Sequence, residues 1–228
     1  MRALVLYETS GAMRRALEAR GWDVWTADML PALEPTPRHI VTDLESPGGL
    51  NMEALVAWIK PDLIIAHPTC TYLTCSAEWA YTDGPYHQKV KPETLVGAER
   101  RAARESAIST VKRIWKLLSK IKVIENPVGA LSKRFMKPSQ TVQPYDYGDD
   151  ASKRTCLWMD GVGPMTADPK NKVPPRMVDG RPRWGNQTDS GQNKLSPSSD
   201  RWRKRSETYP GIAIALAEHV PREVKCLN

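Results

Sequence analysis

The chain has 228 residues, enough for one large domain, and a hydrophobic share of 40% supplies a core and excludes a disordered polypeptide. A formal charge of +7 with a pI near 9.3 fits a polyanionic partner such as nucleic acid, or else a generically basic surface. No apolar run approaches the roughly 20 residues of a membrane span, the opening run is too short for a secretory signal, and Cys70, Cys75, Cys156 and Cys226 lack any zinc or disulfide spacing, so they read as free thiols in a reducing cytoplasm.

Taken in chain order, residues 2–7 (RALVLY) form a buried strand. Gly11 follows, and then a helix in which Met13, Ala16 and Leu17 share a face and Gly21 supplies the stop. Residues 22–28 alternate as a second strand ending on Asp28. This is the opening of a parallel α/β sheet. A loop over 30–40 leads to a short edge strand at 41–43, and 50–59 has helical spacing. Residues 62–66 (DLIIA) are a buried strand that runs into His67-Pro68-Thr69-Cys70.

A polar, aromatic, irregular stretch over 71–97 reads as a loop over a site. A helix over 98–120 follows, with Ala107, Val111, Ile114, Leu118 and Ile121 as its inward stripe. Val123 and Ile124 start a strand ending at Glu125-Asn126-Pro127, and further strands are expected around 141–142 and 155–158. Residues 160–199 are rich in Pro, Gly, Asn and Asp and read as an insertion or mobile arm within a single domain. The end, YPGIAIALAEHV, is a helix announced by Pro210 and Gly211.

In sheets of this kind ligands bind at the carboxyl ends of the strands. Those ends carry Glu8 to Gly11, Asp28, Asp43, His67 to Cys70 and Glu125 to Pro127. A cysteine thiolate is a strong nucleophile even when sparsely ionised, and a carboxylic acid beside it can protonate a ring nitrogen. Together they solve the problem that C5 of cytosine is not itself nucleophilic. Thiolate attack at C6 with N3 protonated makes an enamine whose C5 takes an electrophile. Positive clusters recur at Arg100, Arg101 and Arg104, at Lys112, Arg113 and Lys116, and at 201–205, where phosphate contact and a solvated face are equal readings. Cys75 and Cys156 read as packing residues, and His67 as a space-filler of the cysteine loop.

Four segments in this order resemble the cytosine-C5 DNA methyltransferases, and more closely short phage-type members of that family. LYETSGAMRRALEARG (6–21) is similar to the first motif, which implies that Tyr7, Glu8, Thr9, Ser10 and Gly11 line the S-adenosylmethionine site. The resemblance likewise puts Asp28 near the acidic position that binds the ribose hydroxyls and Asp43 near the one facing adenine. HPTC (67–70) resembles the Pro-Cys motif, making Pro68 a cofactor neighbour and Cys70 the nucleophile. VIENP (123–127) resembles the Glu-Asn-Val motif, giving Glu125 the N3 contact. Lys153 and Arg154 are the nearest counterpart of an arginine motif, with lysine in its first position. The tail over 205–220 is similar to the closing segments.

The implied fold is a Rossmann-like methyltransferase domain of α/β class, with a mostly parallel sheet and helices on both faces. The implied reaction is methyl transfer to C5 of a flipped cytosine in DNA, carried out in the cytoplasm, or the host cytoplasm for a phage-encoded chain. The chain departs from the family in keeping one glycine in its first motif, in Thr69 before the cysteine, and in having only the 160–199 stretch as a reduced DNA-recognition element. Two alternatives stay open: a methylase-like DNA-binding protein without turnover, and related C5 chemistry on RNA or a nucleotide.

Overall fold

The computed structural model describes residues 1–198 and 201–221; Ser199 and Cys226 lie outside them. Strand β1 (Arg2–Leu6) is central. Ala3, Leu4, Val5 and Leu6 are fully buried, as a run of apolar residues covered on both faces must be. Helix α1 (Ala12–Glu18) leads to β2 (Asp23–Asp28) and the short edge strand β3 (His39–Val41). Helix α2 (Met52–Ile59) leads to β4 (Leu63–Ala66), and α3 (Gly97–Lys116) to β5 (Ile121–Pro127). After a short turn α4 (Leu131–Arg134) come β6 (Gln140–Val142) and β7 (Thr155–Asp160).

The seven strands lie in the order β3-β2-β1-β4-β5-β7-β6. Strands β1 to β5 pair in parallel, while β7 is antiparallel to both β5 and β6. This is the expected α/β class, a Rossmann-like, mostly parallel sheet with helices on both faces. The alternation of side chains across β1 assigns the faces. Ala3 and Val5 pack with Met13 and Leu17 of α1 and with Ile212 and Leu216 of the last helix, α6 (Pro210–His219), which follows α5 (Arg201–Ser206). Leu4 and Leu6 pack with Leu55 of α2 and with Ile108, Val111 and Ile114 of α3.

Helix α3 ends earlier than the apolar pattern predicts. Its last residue is Lys116. Leu118 is 82% exposed, and Ile121 is buried as the first residue of β5. The edge strand sits at 39–41, two residues before the predicted position, which leaves Asp43 in the following turn. The stretch from 161 to 198 holds a hairpin of β8 (Arg176–Val178) and β9 (Arg181–Arg183). It is tied to the domain at several points. Trp184 stacks on Tyr145 with ring centroids 4.1 Å apart, the Asp150 carboxylate accepts from Gly185 N, and Asn186 bonds both backbone groups of Ser152.

Candidate active site

The strand order turns back on itself between β1 and β4, because β2 and β3 lie to one side and β5 to the other. Such a switch point opens a crevice beyond the carboxyl ends of the two strands. The chain leaving β1 carries Tyr7 to Gly11, the chain leaving β4 carries His67 to Cys70, and Glu125 lies near the end of β5. Neighbouring positions on parallel strands do the rest: Leu6 pairs with Ala66 and Ala66 with Ile124, so the residues just after each pair converge.

The cysteine loop is held from two sides. Asn126, 2% exposed, donates from Nδ2 to the Pro68 carbonyl at 2.8 Å. The Cys70 carbonyl accepts from Leu73 N at 2.9 Å and Thr74 N at 3.1 Å, a tight turn that leaves Cys70 half-buried. Beyond it, the Leu73 carbonyl accepts from Ala130 N at 2.7 Å where the chain crosses Gly129. A Cβ at Gly129 would stand 1.9 Å from the Leu73 carbonyl oxygen, so only glycine permits this crossing.

Glu125 does not stand alone. Its Oε2 lies 2.8 Å from His67 Nδ1 and accepts from Thr208 Oγ1 at 2.9 Å, with side chains only 12% (His67) and 11% (Glu125) exposed. Burial pushes the Glu125 carboxyl up, but the His67 hydrogen bond and charge, the Lys153 charge and the Thr208 hydroxyl outweigh it and hold the group at about 2. Burial pushes His67 down, yet Glu125 and the charge of Glu8 carry it above its ordinary value against Lys153. His67 is therefore half of a buried ion pair rather than the space-filler its sequence context predicts. Thr208, just before α6, carries no signal in the sequence, since no local pattern marks a residue that reaches back 83 positions to its partner.

Glu8 is 5% exposed. Its Oε1 accepts from Met13 N at 2.8 Å at the start of α1, and its Oε2 is buried with no hydrogen-bond partner among the described residues. Burial raises its carboxyl, with His67 and the α1 amides opposing. Thr9 and Ser10 are half-buried in the same loop, and Gly11 takes a φ of 71° as it enters α1. Tyr7 also has a positive φ, 59°, and its hydroxyl donates to Glu45 at 3.3 Å. Asp28 ends β2 half-buried, with Oδ1 accepting from Leu30 N at 2.9 Å and its pKa raised by burial. Asp43 is exposed and accepts from Glu45 N at 3.0 Å.

Lys153 is half-buried and its ammonium donates to the Glu207 carbonyl at 3.2 Å, which sets its charge near the His67–Glu125 pair. Arg154 is exposed, and its charge acts on Tyr145 and Cys156 instead. Cys75 is exposed, not packed as predicted, while Cys156 is buried. The first basic cluster is consumed internally. Arg100 is 6% exposed over the Tyr81 ring, Arg101 pairs with Asp83, and Arg104 pairs with Glu78. These three tie α3 to the loop over 71–97, Arg100 from a buried position and Arg101 through a surface pair. Hollows of about 400 Å³ along the β8–β9 hairpin and about 220 Å³ beside Gly211 are lined by none of the strand-end residues.

No family model matches the chain, and no curated protein does. Among solved structures, a prophage-encoded E. coli protein assigned as a DNA modification methyltransferase aligns at 16% identity with a TM-score of 0.44, over 70% of this chain and 46% of that one. The S. pombe Dnmt2 methyltransferase aligns at 15% identity and 0.44, over 73% and 51%. The Entamoeba histolytica methyltransferase EhMeth aligns at 11% identity and 0.49, over 76% and 58%. The chain spans about half the length of the first two.

Proposed function

We propose that this chain transfers a methyl group from S-adenosylmethionine to C5 of cytosine in DNA, through a covalent adduct of Cys70. The observation that carries the reading is the Asn126–Pro68 hydrogen bond. It locks the loop of a half-buried thiol to the strand end that bears a largely buried carboxylate, on the adjacent strands β4 and β5 beside the switch point.

The residues around the crevice fit the cofactor. Glu8 Oε2 is a buried acceptor lacking a partner among the described residues, suited to an α-ammonium group, and the Asp28 carboxylate at the end of β2 is suited to ribose hydroxyls. Bound there, S-adenosylmethionine supplies an electrophilic methyl group. Cys70 adds to C6 of the extruded base and leaves again after C5 has lost its proton. Glu125 hydrogen-bonds the N3 edge, and Lys153 adds positive charge beside it. With side chains only 12% and 11% exposed, the His67–Glu125 pair sits in a low-dielectric setting that strengthens each of these contacts.

The segment from 161 to 198 serves as a reduced DNA-recognition element. Asn186 bonds Ser152 and the Tyr209 hydroxyl, which anchors the segment on the residues next to Lys153 and Thr208. Lys170, Arg181 and Lys194 are exposed along it.

The deciding experiment incubates duplex DNA with the chain and labelled S-adenosylmethionine, then identifies nucleosides by mass spectrometry. The expected product is labelled 5-methylcytosine, absent with Cys70→Ser. Label on another base, or on no base, overturns the reading.

A further inference from the structure

His67 is the most constrained group that the proposed reaction leaves without a task. It directly follows β4, and three ionisable side chains from three other segments face it: Glu125 from β5, Glu8 from the loop after β1, and Lys153 from the segment before β7. Nδ1 engages Glu125 Oε2 at 2.8 Å and lies 3.4 Å from the Thr208 hydroxyl. Nε2 is buried without a hydrogen-bond partner among the described residues. The Glu125 carboxylate at hydrogen-bond distance, with Glu8 adding to it, favours the charged imidazole against Lys153. That matters for the chemistry, because a carboxyl held at about 2 keeps no proton of its own at neutral pH. The proton that cytosine N3 requires must come from elsewhere in the pair.

We propose that His67 is the proton store of this site, a positioning residue that acts through Glu125. The proposal rests on the reading of the site as cytosine-modifying. When the Cys70 thiolate forms its bond to C6, the ring π electrons shift toward N3. Glu125 accepts the Nδ1 proton of His67 as its carboxyl passes a proton to N3, so that one proton crosses from imidazole to base, Glu125 ends as it began, and the imidazole is left neutral. When the Cys70–C6 bond breaks, the electron pair returns to sulfur, the N3 proton goes back by the same route, and the imidazolium is restored. The pair thus holds one proton throughout the resting state without Glu125 being an acid itself.

Two measurements on the full chain test this. In the free protein, imidazole ¹⁵N NMR resolves four histidines, and His67→Gln assigns the signal of interest. His67 is expected to be doubly protonated at about pH 7 and neutral there in Glu125→Gln, since burial then acts unopposed by that partner. A neutral His67 in the wild type overturns the proposal. The second measurement is the rate of covalent adduct formation with duplex DNA in which 5-fluorocytosine replaces cytosine, with S-adenosylmethionine present. The wild-type to His67→Gln ratio at each pH removes the shared ionisation of Cys70. The ratio is expected to be about tenfold or more near pH 7.5 and to shrink steadily as pH falls, because burial no longer opposed by the imidazolium raises the Glu125 carboxyl and lets it regain a proton of its own. Equal loss at every pH makes the imidazole a mere prop, and no loss makes it idle; either overturns the proposal. A wild type that forms no adduct, with His67 charged by NMR, instead defeats the cytosine reading and takes the proton-store role with it.

Discussion

Asn126 and Pro68 are 58 positions apart in sequence, yet the Asn126 amide donates to the Pro68 carbonyl at 2.8 Å inside the domain. The bond makes the end of β5 and the Cys70 loop one rigid unit. Asn126→Ala should leave a buried carbonyl unsatisfied and cost about 1–3 kcal/mol of folding stability. Urea unfolding measures that loss. Adduct formation on 5-fluorocytosine DNA should slow more than the loss of folded protein accounts for, because the nucleophile is released from its position. A variant as stable and as fast as the wild type would contradict this role.

Gly129→Ala acts on the same loop from the other side. Its new Cβ would meet the Leu73 carbonyl at 1.9 Å, and that neighbour is backbone, which cannot swing away. The expected destabilisation is about 1–3 kcal/mol, as for other forced overpacking. The urea midpoint should fall, and the cysteine loop should become more open to protease cleavage near residue 73. An unchanged midpoint would mean that the crossing is looser than it stands here.

The cysteines should separate cleanly. Cys70→Ser should abolish the gel-shifted adduct, since a hydroxyl is hardly ionised at neutral pH. Cys75→Ser should leave adduct yield and stability unchanged, because the side chain is exposed. Cys156→Ser shrinks a buried side chain of the core but keeps Thr141 Oγ1, 3.7 Å from the thiol, as a hydrogen-bond partner, and should lower stability by about 1 kcal/mol or less without removing the adduct. An adduct that survives in Cys70→Ser would reassign the nucleophile.

Acid should weaken the fold through Glu125. Its folded pKa of about 2 lies below its ordinary value near 4.5, so the pair's contribution is present above that value and is lost as pH falls toward 2. His67 works in the opposite sense. Its folded pKa is raised, so its contribution is complete below its ordinary value of 6.5 and fades as pH rises through the folded one. Urea midpoints from about pH 2 to 9 should therefore fall more steeply at both ends in the wild type than in Glu125→Gln. Parallel profiles would show that the pair adds nothing to folding.

Charge neutralisation tests the recognition element. Replacing Lys170, Arg181 and Lys194 by alanine should weaken DNA binding and flatten the slope of log affinity against log salt by up to about 3, near one unit for each phosphate contact removed. Trp184→Ala should have a similar effect by unstacking the segment from Tyr145. The same changes at Arg100 or Arg104 should act on folding instead, since these side chains are spent on Tyr81 and Glu78. Equal salt slopes in the triple variant and the wild type would remove the segment from the interface.

The local pattern of the sequence determined most of the scaffold. Continuous apolar runs mark β1 and β4, because a strand covered on both faces has no polar side to alternate with. The Gly11 entry marks α1, and the Pro210-Gly211 start marks α6, because helix ends need particular backbone geometry. Cys70 and Glu125 were legible as candidates because each stands just beyond or near the end of a recognisable strand. Tertiary structure alone decided what these groups touch. His67 meets Glu125 across 58 residues and Thr208 across 141, and Arg104 meets Glu78 across 26. Whether Leu118 faced the core depended on where α3 stopped, which its apolar period could not report. Periodicity describes which face of an element is apolar, whereas a charge is neutralised or a proton held by whichever distant segment the sheet order brings beside it. That order is set by the packing of the whole sheet and is written in no single stretch of the chain.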